Sequence, residues 1–170
     1  MPGSEETRNI VASYEIQHWI KFEGGATYIN VTELNSFDAT RNATTYEPAW
    51  LDKKVKPKYN LGRTDEFAFE VDMLAPGGAQ QEFAKHEDDQ NVKVEYVRTC
   101  AYDFERGQAC AADALVAKHA TATLNLNPMK QSDGNPARID GTITVDSEYD
   151  KGTFSPSTAT YTPADSDGGE

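Results

Sequence analysis

Hydrophobic and polar residues alternate with period two along most of this chain, and clusters of Gly, Pro, Asn and Asp separate the alternating runs. Residues 18–23 (HWIKFE) are followed by Gly24-Gly25 and then by 27–34 (TYINVTEL). Further runs cover 65–74 (DEFAFEVDML), 91–99 (NVKVEYVRT), 115–127 (LVAKHATATLNLN) and 138–149 (RIDGTITVDSEY). The pattern predicts a mainly β protein, an antiparallel β-sandwich or partial barrel. Only 76–89 (PGGAQQEFAKHEDD) departs from period two, and it is predicted as one short flanking helix around Phe83.

Two stretches fit neither pattern. Residues 38–64 contain two prolines and no core-like periodicity, so they are expected to form a long extended loop or arm, and loops of that length are usually functional. Its charge also differs from that of its surroundings: Arg41, Lys53, Lys54, Lys56, Lys58 and Arg63 stand against Asp38, Glu47 and Asp52. The last residues, 163–170, are rich in Pro, Gly and Asp and are expected to be a flexible, disordered acidic tail.

Alternation splits each strand into two faces. In 65–74, Phe67, Phe69 and Val71 share one face, and Glu66, Ala68, Glu70 and Asp72 the other. In 138–149, Ile139, Ile143, Val145 and Tyr149 oppose Asp140, Thr142, Thr144, Asp146 and Glu148. Carboxylates at spacing two repel one another when their strands are adjacent, which points to a functional anionic surface. That surface is expected to be patterned, because Lys93 and Glu95 share a face and the row Thr121, Thr123, Asn125, Asn127 is uncharged.

Composition sharpens this picture. A chain of 170 residues suits one hydrophobic core. Its 28 Asp and Glu exceed its 16 Lys and Arg, for a net charge of -12, which disfavours attraction to a phosphate backbone or an anionic membrane. The N-terminal segment has acids where a secretory signal needs a basic start, and no run reaches membrane-span length. Synthesis and retention in a cytosol are expected.

Candidate chemistry is sparse. Cys100 and Cys110 are too few for a disulfide framework or a zinc site and are expected as free thiols. His18, His86 and His119 each stand alone in the sequence. No nucleophile elbow, Cys/His pair or phosphate-cradling glycine loop occurs, and the run from His86 to Asp89 reads as a solvated charge cluster. No catalytic, cofactor-binding or metal-ligating residue is assigned. Trp19 is expected in the core, and Trp50 at a protein interface. A second class of function is a non-catalytic β-sandwich module binding carbohydrate or another ligand through Tyr46, Trp50 and Tyr59.

Residues 28–73 resemble the major tail tube proteins of long-tailed bacteriophages. The resemblance rests on a strand ending in Val31-Thr32-Glu33-Leu34, then Ser36-Phe37-Asp38, the step Thr45-Tyr46-Glu47, the Lys-rich loop with Pro57-Lys58-Tyr59, and a return strand of Phe and acids. The later order is also similar: a helix near Gln80-Gln81-Glu82-Phe83, then 91–99 and two long strands. The resemblance, which extends to type VI secretion tubes, implies a single tail-tube domain over 1–162 and a structural role without enzymatic activity or cofactor. It implies a virion protein made in the host cytoplasm, assembling with itself into stacked hexameric rings. A tape measure protein would occupy the lumen, tail tip and terminator proteins the ends, and DNA would transit without specific binding. Within that frame, Glu66, Glu70, Asp72, Asp140, Asp146 and Glu148 are expected to face the lumen. Arg41, Tyr46, Trp50, Lys53, Lys54, Lys56, Lys58, Tyr59 and Arg63 are expected to form an inter-subunit arm.

Overall fold

A computed structural model describes residues 10–164. The strands are β1 (Ile16–Phe22), β2 (Ile29–Asn30), β3 (Leu34–Tyr46), β4 (Tyr59–Asp72), β5 (Val92–Cys100), β6 (Tyr102–Asp103), β7 (Gln108–Ala109), β8 (Leu115–Leu126), β9 (Arg138–Val145), β10 (Asp150–Ser155) and β11 (Thr160–Pro163). The single α-helix among the described residues, α1, spans Gly78–Lys85. All strand pairs are antiparallel. The main sheet runs β2-β1-β5-β8-β9-β4-β3, as the alternating pattern predicts.

Strand β8 organises the sheet because it is long enough to serve two neighbours on one side. Its first half pairs with β10, from Leu115↔Phe154 to His119↔Asp150, and its second half with β9, from Ala122↔Val145 to Leu126↔Gly141. Past that fork the sheet curls until β3 and β4 lie over β1 and β5. Phe37 of β3 stacks on His18 of β1 at 3.6 Å between ring centroids, and Phe67 of β4 meets Tyr96 of β5 at 5.2 Å. The two layers form a sandwich that does not close into a barrel. Between them lie Ile20, Val94, Tyr96 and Leu124 from one layer and Phe67, Phe69, Ile139 and Ile143 from the other. Helix α1 plugs one end by inserting Phe83 against Phe22 and Phe69. A second cluster on the opposite face of β1 and β5 packs Trp19 and Tyr28 onto Val97 and Phe154, so Trp19 is buried as expected.

Several boundaries differ from the sequence reading. The stretch 38–64 is no irregular loop: β3 and β4 continue through it as a ladder from Leu34↔Val71 to Tyr46↔Tyr59, and only 47–58 forms the connecting tip. Both faces of the outer hairpin are exposed, so no hydrophobic alternation marks it, and both prolines fall in the tip where no ladder bond is lost. Strand β9 stops at Val145, leaving Asp146 and Glu148 in the connection to β10. Most of 27–34 is a connection, with only Ile29 and Asn30 paired to β1. The helix is shorter than 76–89. The β10–β11 hairpin reaches Pro163, inside the segment expected as tail, while 165–170 lie outside the described residues. Gly152 permits this hairpin, since a Cβ there would collide with the Thr162 carbonyl and the Tyr161 ring. At the predicted β1–β2 turn, Gly24 adopts a φ of +81°, which an L side chain rarely occupies.

His18 is buried between Phe37 and Tyr96, and its Nδ1 lies 2.8 Å from the Tyr96 hydroxyl. Burial, reinforced by the Arg98 charge, pushes this imidazole down to about 4. The unfolded chain protonates it near its ordinary value of about 6.5, so between these values the unfolded state binds more protons and stability falls as pH drops. The contribution is intact above about pH 6.5, and about 3 kcal/mol of it is lost by pH 4. Thermal melts between pH 7 and 4.5 should show the midpoint falling. His18→Phe should flatten that dependence even though it leaves the Tyr96 hydroxyl unpartnered. A slope unchanged by the substitution would exclude His18 as its source.

Candidate functional site

On β3, β4 and β9 the face of the sheet turned away from the main core is a polar surface. The register places Ser36, Asp38 and Thr40 of β3 beside Glu70, Ala68 and Glu66 of β4, and these beside Asp140, Thr142 and Thr144 of β9. Four predicted residues, Glu66, Glu70, Asp72 and Asp140, therefore share one surface, with Glu70 directly opposite Asp140. Asp146 joins it from beyond the end of β9 by accepting a hydrogen bond from the Thr123 hydroxyl at 2.6 Å and pairing with Lys93 at 3.0 Å. Glu148 does not join it. It lies in the β9–β10 connection, beyond the paired residues of β9, and lines a cleft together with Arg63 and Tyr149.

The repulsion expected from these rows is largely relieved within the chain. Lys130 Nζ reaches Glu70 at 2.5 Å and Asp140 at 3.5 Å, and Arg138 reaches Asp72 at 2.8 Å and Glu70 at 3.4 Å. A hydrogen bond from Asn35 and the Arg138 guanidinium hold the Asp72 carboxyl below the usual range. Burial works to raise Asp146, yet Thr123 and Lys93 outweigh it and keep its carboxyl low. Glu66 and Asp38 have no ion-pair partner among the described residues. The surface is thus a patterned one, with counter-charges at fixed places. Lys130 and Arg138 escaped the sequence reading because only the cross-strand register brings them to Glu70 and Asp72.

The second predicted feature, the arm, is the outer part of the β3–β4 hairpin. Strand β9 accompanies β4 only from Glu66 to Asp72, so residues 41–46 and 59–65 project without a third strand, by roughly 20 Å at about 3.3 Å per residue. Along and around its tip Tyr46, Trp50, Leu51, Val55, Tyr59 and Leu61 are exposed, Leu51 entirely. Trp50 and Tyr59 pack edge to face at 6.2 Å. Two of the predicted cations are neutralised within the hairpin: Arg41 forks onto Asp65 at 2.7 and 3.0 Å, and Lys58 pairs with Glu47 at 3.0 Å. Lys53, Lys54, Lys56 and Arg63 have no ion-pair partner among the described residues.

Other candidate groups are absorbed by the structure. His86 stacks on Phe22 and pairs with Asp89, and His119 stacks on Tyr161. Cys100 and Cys110 are both free thiols. Among the described residues no group of three or more His, Cys, Asp or Glu could hold a metal ion, and no helix is long and apolar enough to cross a membrane.

Comparison with solved structures brings the geometry into context. The chain aligns with a subunit in the tail of an empty gene transfer agent particle, refined with C6 symmetry, at a TM-score of 0.55 and 10% identity, covering 82% of this chain and 97% of the other. It shares its fold with components of phage-tail-like particles. The six-fold symmetrised baseplate of the anti-feeding prophage contains a similar chain (TM-score 0.51, 8% identity, 85% and 96% covered). So does that particle's tube-terminating cap (TM-score 0.51, 12% identity, 90% and 99% covered). No family model and no curated protein matches the sequence. The likeness therefore lies in the fold, which spans nearly the whole of each solved chain.

Thr123 is the pivot linking Lys93 to Asp146, since its hydroxyl contacts both. Thr123→Val should cost about 1.5–3 kcal/mol by removing a hydrogen bond to a charged group. It should also move the Asp146 carboxyl toward the ordinary range. Urea denaturation and carboxyl-carbon NMR titration measure the two effects.

Proposed function

We propose that this protein is a structural subunit that polymerises as stacked hexameric rings into the tube of a phage tail or tail-like particle, without catalytic activity. The observation that carries the reading is the projecting hairpin. A monomer gains nothing from holding Trp50, Leu51, Val55 and Tyr59 in water at the end of an unsupported ladder, whereas a partner surface that covers them buries an aromatic anchor rimmed by lysines. The fold shared with the solved tail, baseplate and cap subunits supports the same reading.

In this arrangement the arm residues Tyr46, Trp50, Lys53, Lys54, Lys56 and Tyr59 contact a neighbouring copy. Arg41 and Arg63 sit at its base. The cationic tip offsets repulsion between copies that each carry -12. The edge strand β3, unpaired on its outer side among the described residues, is available to a neighbour's backbone, which removes an aggregation liability. The polar surface carrying Glu66, Glu70, Asp72, Asp140 and Asp146 suits the wall of a channel for DNA, with Glu66 and Asp38 supplying uncompensated charge. Screening confines that charge's effect to about 8 Å at physiological salt. A tape measure protein in the lumen and tip and terminator proteins at the ends complete the assembly, and the subunit belongs to the virion.

Negative-stain microscopy of the concentrated protein should show tubes or rings with six-fold symmetry. Replacing Lys53, Lys54 and Lys56 by Gln should raise the concentration needed for assembly while leaving the circular dichroism spectrum and melting temperature unchanged. Trp50→Ala should do so more strongly. A chain that remains monomeric at high concentration, or that binds glycans through Trp50, would overturn the reading in favour of a ligand-binding module.

A further inference from the structure

At the foot of the arm the sandwich opens into a cleft of about 1340 Å³. Its lining carries an arrangement that stability alone does not favour. Arg98 of β5 lies directly opposite Lys118 of β8, and Lys118 directly opposite Lys151 of β10, so three cations share one cross-strand row. Like charges at directly opposed positions repel. Arg63 adds a fourth cation from the arm. Among the described residues Arg63, Arg98 and Lys118 have no ion-pair partner, and Lys151 meets only Glu105, on the β6–β7 connection. Elsewhere on the body of the sandwich Lys21, Lys93, Lys130 and Arg138 each reach an acid. In a chain with 28 Asp and Glu to 16 Lys and Arg, cations left together in one cleft need another explanation.

The cleft holds little that cancels them. Of the acids that line it, Asp65 is engaged by Arg41 and Asp146 by Lys93, which leaves Glu148. The Arg98 charge acts on both His18 and Tyr149, so its guanidinium points into the opening between the two layers. With strands about 4.8 Å apart, the row from Arg98 to Lys151 spans about 10 Å. Thr64 and Ser147 add hydroxyl donors to the lining. This donor set favours a ligand with several negative charges in a small volume. A phosphate group brings up to about two charges and three acceptor oxygens, against one charge and two oxygens for a carboxylate. Arginine forks also match phosphate bidentately. An extended polyanion such as nucleic acid is repelled by a chain of net charge -12. A compact one seated in the cleft meets chiefly the cations, because screening limits the reach of more distant charge to about 8 Å.

We propose that the cleft lined by Arg63, Arg98, Lys118 and Lys151 binds a compact anion carrying two or more phosphate groups, the chemistry that nucleoside triphosphates and inorganic polyphosphate share. Arg98, Lys118 and Lys151 take the phosphates along the row, and Arg63 meets them from the side of the arm. Glu148 opposes binding and limits the affinity. The anion supplies the counter-charge that the row lacks. The site does not depend on whether the protein forms tubes.

Isothermal titration calorimetry of the full-length protein with inorganic tripolyphosphate tests the site. One saturable equivalent should bind at low salt, and its affinity should fall in about 1 M salt, where the Debye length is about 3 Å. Arg98→Gln and Lys118→Gln should each weaken binding about tenfold, the scale of one charge-assisted hydrogen bond. Glu148→Gln should tighten it about threefold. Lys85→Gln removes the same charge from α1, at the plugged end of the sandwich, and should leave binding unchanged. Without ligand, Lys118→Gln should melt no lower than the wild type, because the row loses a repulsion. ATP bound as tightly as tripolyphosphate supports recognition of the phosphates alone, and tighter ATP binding supports a nucleotide. The absence of saturable binding, or equal weakening by Lys85→Gln and Lys118→Gln, would overturn the site. Citrate bound as tightly as tripolyphosphate would overturn the phosphate assignment and make the occupant a carboxylate-bearing partner.

Discussion

Four aromatic side chains on four strands hold the sheet in its curled form. Phe37 of β3 lies on His18 of β1, Phe67 of β4 on Tyr96 of β5, and Phe37 and Tyr96 lie 6.4 Å apart. These strands sit near opposite ends of the strand order, so backbone pairing alone does not bring them together. Ring stacking and apolar burial do. Once the layers are clamped, the outer face of β4 and β9 is fixed as a polar surface, the β3–β4 hairpin is aimed off the sandwich, and the cation row is left at the open end. A buried imidazole in such a clamp must stay neutral, which ties the packing of the two layers to the protonation of His18.

The functional features divide by how much of their chemistry the fold itself satisfies. On the polar face, Lys130 and Arg138 answer Glu70, Asp72 and Asp140, so the surface has internal order and a charge that it holds without a partner. On the arm, Arg41 and Lys58 are answered within the hairpin, while the aromatic and aliphatic tip is not. In the cleft, Arg98 and Lys118 stand in a row with Lys151, and neither Arg98 nor Lys118 has an ion-pair partner among the described residues. Unsatisfied groups gathered at defined places are where a protein meets something else, and here they lie at the tip and the base of one projecting element.

The resemblance to tail tube proteins rests on residues 28–73, and those residues prove to be the hairpin together with its approach and its root in the core. The likeness to solved components of tail-like particles is one of overall fold and covers 82–90% of this chain.

Period-two alternation determined the β class, the runs that became β1, β4, β5, β8 and β9, and the grouping of Phe67, Phe69 and Val71 against Glu66, Glu70 and Asp72. Those depend on which side of a strand meets the core, and a local pattern records that. The outer arm was not legible as strand, because neither of its faces is buried and nothing compels its residues to alternate. The pairing of Lys130 and Arg138 with the acidic rows, the departure of Glu148 to the cleft, and the alignment of Arg98, Lys118 and Lys151 were decided by the tertiary structure. Each depends on the register between strands distant in sequence, and register is set by packing across the sandwich.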